Sequence, residues 1–69
     1  MGETKFLAAA MAVGLSGIGA AYAIAKVGVA ASGAIVENPK LFGNTILYVA
    51  FAEAIAIYGL LVALLIVGG

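Results

Sequence analysis

Glu53 is the one ionisable residue in the apolar stretch from Thr45 to Val67, and it stands near the middle of it. Holding a carboxylate at that depth of a bilayer costs something like a few kcal/mol, so chains keep one there when protonation or ion binding is part of the job. Burial favours the neutral acid, whereas a nearby cation favours the ionised form. One such residue can therefore load and unload an ion as its surroundings change. The other charge embedded in an apolar run is Lys26, thirteen residues before Pro39, with Glu53 fourteen after it. In a hairpin symmetric about Pro39 the two would share a depth, ~20 Å from the turn. Three readings of Lys26 stay open: an intramembrane pair with Glu53, a lysine that points into a lumen or snorkels to the interface, or a neutral buried amine.

The elements that position these residues follow from composition. The chain has 69 residues, 67% hydrophobic and 9% charged, with formal net charge zero and a mean hydropathy of +1.31. A soluble fold of this size buries only roughly 60% of the surface its unfolded chain exposes and cannot hide so much apolar surface. The chain is expected to be an integral, multi-pass membrane protein. Three scattered Lys and no Arg cluster lack the electrostatic footprint that nucleic-acid binding requires. Without Cys or His there are no disulfides, no thiol redox chemistry and no soft metal ligands. No nucleophile-base pair or phosphate-binding loop marks an enzyme, and no cofactor is expected. Lys5, the apolar run after it and the small residues Ala21 and Ala23 loosely imitate a signal peptide. Cleavage there would discard the small residues suited to helix packing, so residues 1–69 are expected to form one unit.

Two apolar runs flank Glu37-Asn38-Pro39-Lys40, where two charges, an Asn and the sole Pro fall together. Pro disfavours a continuing helix and pushes Asn38 toward extended geometry. As helices the runs Phe6–Val36 and Thr45–Val67 would measure ~45 and ~35 Å, enough to cross ~30 Å of hydrocarbon. Lipid offers no partners for backbone groups, so each run must be helical, and a short turn sets the two antiparallel. The expected fold is all-α: a two-helix transmembrane hairpin with helix one about 4–36, a polar turn 37–40 and helix two about 41–67. Helix one is rich in Gly and Ala, with small pairs Ala10/Gly14, Ala21/Ala25 and Gly28/Ser32, while helix two is bulkier. Small residues let axes approach closely in lipid. A thin helix joined to a thick one suits a homo-oligomeric ring, thin helices inside and thick ones outside, closed by heterologous contacts.

The segment Glu37-Asn38-Pro39-Lys40-Leu41-Phe42-Gly43 and the run from Ala52-Glu53-Ala54 through Ile57-Tyr58-Gly59-Leu60-Leu61-Val62-Ala63-Leu64 resemble the proteolipid (c or K) subunit of rotary ATP synthases and ATPases. The archaeal A-type and vacuolar V-type branch is nearer than the F-type. The resemblance covers essentially the whole chain and implies a ring that rotates against a stator a/I-type membrane subunit. Glu53 would be the coupling carboxylate, neutralised through the lipid-facing arc and discharged near an Arg of the stator. The turn Glu37, Asn38, Pro39 and Lys40 would dock on the central stalk, on the cytoplasmic side of a prokaryotic (archaeal or bacterial) cell membrane. ATP chemistry would belong to partner subunits. The charges alone leave orientation undetermined, because Lys5 and Lys40 nearly cancel.

The same resemblance bears on the coupling ion. Sodium needs several oxygen ligands. Sodium-coupled relatives supply them just after the coupling Glu and from a Gln on helix one, where this chain has Ala54, Ile55 and Ile24. Protons are favoured, with sodium as the alternative. Tyr58 matches a family Tyr that can hydrogen-bond the carboxyl, although it also reads as an ordinary membrane aromatic. If Ile24 faces helix two, Lys26, about 200° further round, faces roughly the opposite way. Ser16 and Ser32 are expected to bond back to their own helix, and Glu3 and Lys5 to hold the N-terminus in water. Competing functions are a small pore-forming or structural hairpin (holin-like, or a coat protein) and an accessory peptide of a larger complex. Neither gives a reason for a mid-helix Glu.

Overall fold

The computed structural model describes residues 2–68; Met1 and Gly69, the ends of the expected unit, lie outside the described residues. Helix α1 spans Gly2–Glu37, a 3-10 turn spans Pro39–Leu41, and helix α2 spans Phe42–Gly68. Both helices are long and apolar enough to cross a membrane. They pack antiparallel into a rod 54 Å long. The fold is an all-α hairpin. Relative to the boundaries read from sequence, α1 absorbs Glu37 and the turn absorbs Leu41.

The reversal is built around Asn38. Its backbone is extended, φ −142° and ψ 93°, as a following proline demands. The Asn38 N–H donates to the Ala34 carbonyl at 2.8 Å, and Leu41 N–H donates to the Asn38 carbonyl at 3.0 Å. Asn38 Oδ1 accepts from Lys40 N–H at 3.2 Å, so one side chain caps the short turn while Pro39 fills a position whose N–H would have no partner. Asn38→Ala removes that cap and should cost about 1 kcal/mol. A lowered unfolding temperature in detergent, with helical content unchanged, is the expected reading.

The interhelical seam is made of small side chains. On α1 the buried or half-buried positions include Ala9, Ala12, Ser16, Ala20, Ala23, Val27, Ala31 and Ala34; on α2 they include Thr45, Val49, Ala52, Ala56, Gly59 and Ala63. Spacings of three and four residues draw one stripe along each helix. The pairs Ala10/Gly14, Ala21/Ala25 and Gly28/Ser32 are exposed instead, so the closeness they allow is offered to something outside the hairpin. Large apolar side chains also point outward, Val29 being 81% and Ile18 70% exposed.

The hydroxyls of Ser16, Ser32 and Thr45 are satisfied locally. Ser16 Oγ donates to the Ala12 carbonyl at 2.6 Å, Ser32 Oγ to Gly28 at 2.8 Å and Thr45 Oγ1 to Leu41 at 3.0 Å, which spares lipid an unpaired polar group. Lys5 does more than sit in water: its Nζ donates to the Val67 carbonyl at 3.4 Å. A cation at the C-terminal carbonyls of α2 is favourable for the helix dipole.

Candidate functional site

Glu53 follows the buried seam residue Ala52 by one position and is itself exposed. A step of one residue turns the side chain ~100° about the helix axis, which carries the carboxylate off the seam and onto a flank of the hairpin. Intrahelical bonding satisfies the backbone around it, so only the side chain needs a partner.

Two faces of the hairpin can be told apart by the cleft beside the turn, of about 310 Å³, which Ala30 and Ala34 line from α1 and Asn44 and Tyr48 from α2. Lys26 precedes Ala30 by four residues and shares its face. Tyr58 follows Asn44 by fourteen residues and returns to within ~40° of it. Glu53 follows Asn44 by nine residues, about 180° round α2, and therefore occupies the opposite face. Ile24, half-buried, lies on the Glu53 side of the α1 seam. Glu53 and Ile24 are thus on one face of the hairpin and Lys26 and Tyr58 on the other.

This arrangement separates residues that the sequence placed near one another. Tyr58 is 68% exposed and stands five residues, ~140°, from Glu53, so within one hairpin it is not brought against the carboxylate. The ammonium of Lys26 rests 5.4 Å over the ring of Tyr22, a cation–π contact, on the face away from Glu53. The depths also differ from a hairpin symmetric about Pro39. Ser16 faces Gly59; six residues along each helix from that pair, Glu53 comes level with Tyr22. The true midpoint lies near Glu37 and Asn38 because α1 extends through Glu37. The Lys26 backbone is accordingly ~6 Å nearer the turn than that of Glu53, but its side chain leans back to the level of Tyr22.

The turn residues Glu37, Asn38, Pro39 and Lys40 are all exposed and form the charged tip of the rod. Gly59 is a residue that the sequence did not single out. A Cβ there would overlap Ser16 Oγ, and would lie 2.6 Å from Ser16 Cβ and 2.8 Å from the Ala12 carbonyl oxygen. Its signal was available: Ala52, Ala56, Gly59 and Ala63 form a small-residue stripe in an otherwise bulky helix.

The family model for the ATP synthase C-subunit matches residues 7–66. Among curated relatives, the V-type proton ATPase c-subunit of Candida tropicalis is 47% identical over 60 residues, covering 87% of this chain and 38% of the relative. The 16 kDa proteolipid c-subunit of the V-type proton ATPase from Ovis aries is 45% identical over 87% of this chain and 39% of its own length. Its counterpart from Homo sapiens is likewise 45% identical, with 87% and 39% covered. The chain thus spans less than two fifths of the length of these relatives. All three come from eukaryotes and give no support to a prokaryotic source. No solved structure gives a significant match.

Proposed function

The chain belongs to the ATP synthase C-subunit family, and from that premise we propose that it is a building block of the ion-translocating rotor ring of a rotary ATPase, in which Glu53 carries the coupling proton. It is an integral membrane protein of the V-type branch. The observation that carries the proposal is a lone mid-helix carboxylate exposed on the flank of an apolar hairpin, where burial in lipid and proximity to a cation favour opposite protonation states. Moving one charge through the membrane potential yields ~2.3 kcal/mol per 100 mV, so several ions must be collected for each nucleotide turned over. A ring of identical hairpins supplies that number. The chain itself does no ATP chemistry; catalytic subunits, a stator membrane protein supplying an Arg and a central stalk meeting the exposed Glu37–Lys40 tip are its partners.

Ring closure also gives Tyr58 a role that one hairpin denies it. In a cyclic, heterologous assembly the face of one copy meets the opposite face of the next. The Glu53 face therefore meets a Tyr58 face, and the phenol can donate to the carboxylate between copies.

A hydrophobic carbodiimide, which reacts with a protonated carboxyl in lipid, tests the proposal. Adduct on Glu53 with loss of coupled transport is expected; adduct confined to Glu3 or Glu37 would overturn it. The proton assignment has its own test. Turnover should persist in sodium-depleted buffer, and added sodium should not slow carbodiimide modification of Glu53. Clear sodium protection would transfer the assignment to sodium. The reading as a small structural or pore-forming hairpin gives no reason for a carboxylate at this place.

A further inference from the structure

Lys26 is the one charged residue inside the span, besides Glu53, that the proposed cycle leaves unused. It is exposed, its ammonium touches Tyr22 at 5.4 Å from the ring centroid, and it lies on the cleft face, opposite the face that carries Glu53. Within one hairpin the two charges cannot meet without crossing the seam. The geometry between copies is different.

This step rests on the ring reading given above. A ring related by rotation about the membrane normal keeps every residue at its own depth, and each contact joins opposite faces of neighbouring copies. The Glu53 face of one hairpin is therefore covered by the Lys26 face of the next. Depth agrees as well. Glu53 is level with Tyr22, and the lysine ammonium already reaches back over Tyr22. Helical side chains lean toward the N-terminus. In antiparallel helices that tilt carries Lys26 away from the turn and Glu53 toward it, closing the axial gap from both sides.

We propose that Lys26 of one hairpin is the counter-charge of Glu53 of the adjacent hairpin, forming an ion pair at the interface between copies whenever Glu53 has released its proton. Charge complementarity selects the occupant of each face, because an unpaired charge left in a dry interface is costly and these two cancel. The Tyr22 ring is the resting place of the ammonium when Glu53 is protonated. The pairing also bears on the coupling ion. Sodium requires oxygen acceptors around it, whereas a tethered ammonium brings only donors and a like charge. Lys26 thus acts as a positioning and specificity residue that closes the site to sodium.

Zero-length crosslinking of the intact ring in its membranes tests this. A hydrophobic carbodiimide adds to the Glu53 carboxyl to give an O-acylisourea. If a neutral Lys26 amine is within reach, it attacks the acyl carbon, forms an amide and releases the dialkylurea. The expected result is a ladder of covalent dimers and higher multimers in denaturing gels, with the linked peptide joining Lys26 to Glu53. Lys26→Gln should abolish the ladder and raise the stable acylurea adduct on Glu53 severalfold, because no amine intercepts the intermediate. Glu53 adduct without any ladder in the unsubstituted ring would overturn the pairing and leave the rotor reading standing. A Lys26–Glu53 amide within monomers would overturn the placement between copies. Absence of any reaction at Glu53 would overturn both the pairing and the rotor reading.

Discussion

Replacing Glu53 by Gln is expected to reduce ATP-coupled ion transport at least ~100-fold, the low end of what a positioned proton-transfer group contributes, while the ring still assembles. The amide keeps the shape of the carboxyl but can neither bind nor release a proton. It is also easier to hold in lipid than the charged acid. Stability of the hairpin therefore should not fall, and the amount of assembled ring, measured on the same membranes, separates a loss of transport from a loss of assembly. Glu53→Asp is the companion variant. It retains the acid but withdraws it by one methylene, so partial transport is expected. Transport by Glu53→Gln at the normal rate, measured as ion flux driven by ATP in reconstituted vesicles, would remove the coupling role.

Much of this fold is legible in the residues because lipid leaves so few options. A backbone with no water to bond must be helical, and the one cluster of Pro, Asn and charges must be the reversal. Extended geometry at Asn38 follows from Pro39 alone. Glu53 is legible because a single carboxylate in an apolar run has few structural explanations. The facing of the two helices was much harder to read. Both are apolar all round, so hydrophobic periodicity cannot pick the packed stripe as it does for a soluble amphipathic helix. Small residues were the remaining guide, and α1 offers them on every side: Ala9, Ala12 and Ser16 went to the seam, while Ala10 and Gly14 stayed outside. The depth of Lys26 relative to Glu53 also differs from that of a hairpin symmetric about Pro39, since the helical extension through Glu37 moves the midpoint by more than a residue. Most of all, the division of the site between copies that we propose has no signature in the spacing of a single chain. Tyr58 and Lys26 lie on the face away from Glu53, and only a neighbouring hairpin can bring either of them to it.

The same seam carries the second large effect. Gly59 is a point of close helix approach: an added Cβ would overlap Ser16 Oγ and lie 2.8 Å from the Ala12 carbonyl oxygen. Rotating the serine side chain can relieve the first clash but not the second, which is with backbone. Overfilling a packed contact costs typically about 1–3 kcal/mol, so Gly59→Ala should destabilise the hairpin by that order, and Gly59→Leu should part the helices outright. By contrast Gly14, Gly17, Gly19, Gly28 and Gly33 have nothing within 4 Å of an added Cβ in the hairpin. Substituting Ala at any one of these should leave the hairpin intact, so any effect would be read in ring assembly. Pairing Gly59→Ala with Ser16→Gly isolates the contact, because it removes the Ser16 Cβ and Oγ but leaves the Ala12 carbonyl in place. The double variant should recover part of the lost stability, measured as the unfolding temperature of the detergent-solubilised protein. Full tolerance of Gly59→Leu, with unchanged helix packing and melting, would show that the two helices do not meet at Ser16 and Gly59, and the level of Glu53 beside Tyr22 would fall with that register.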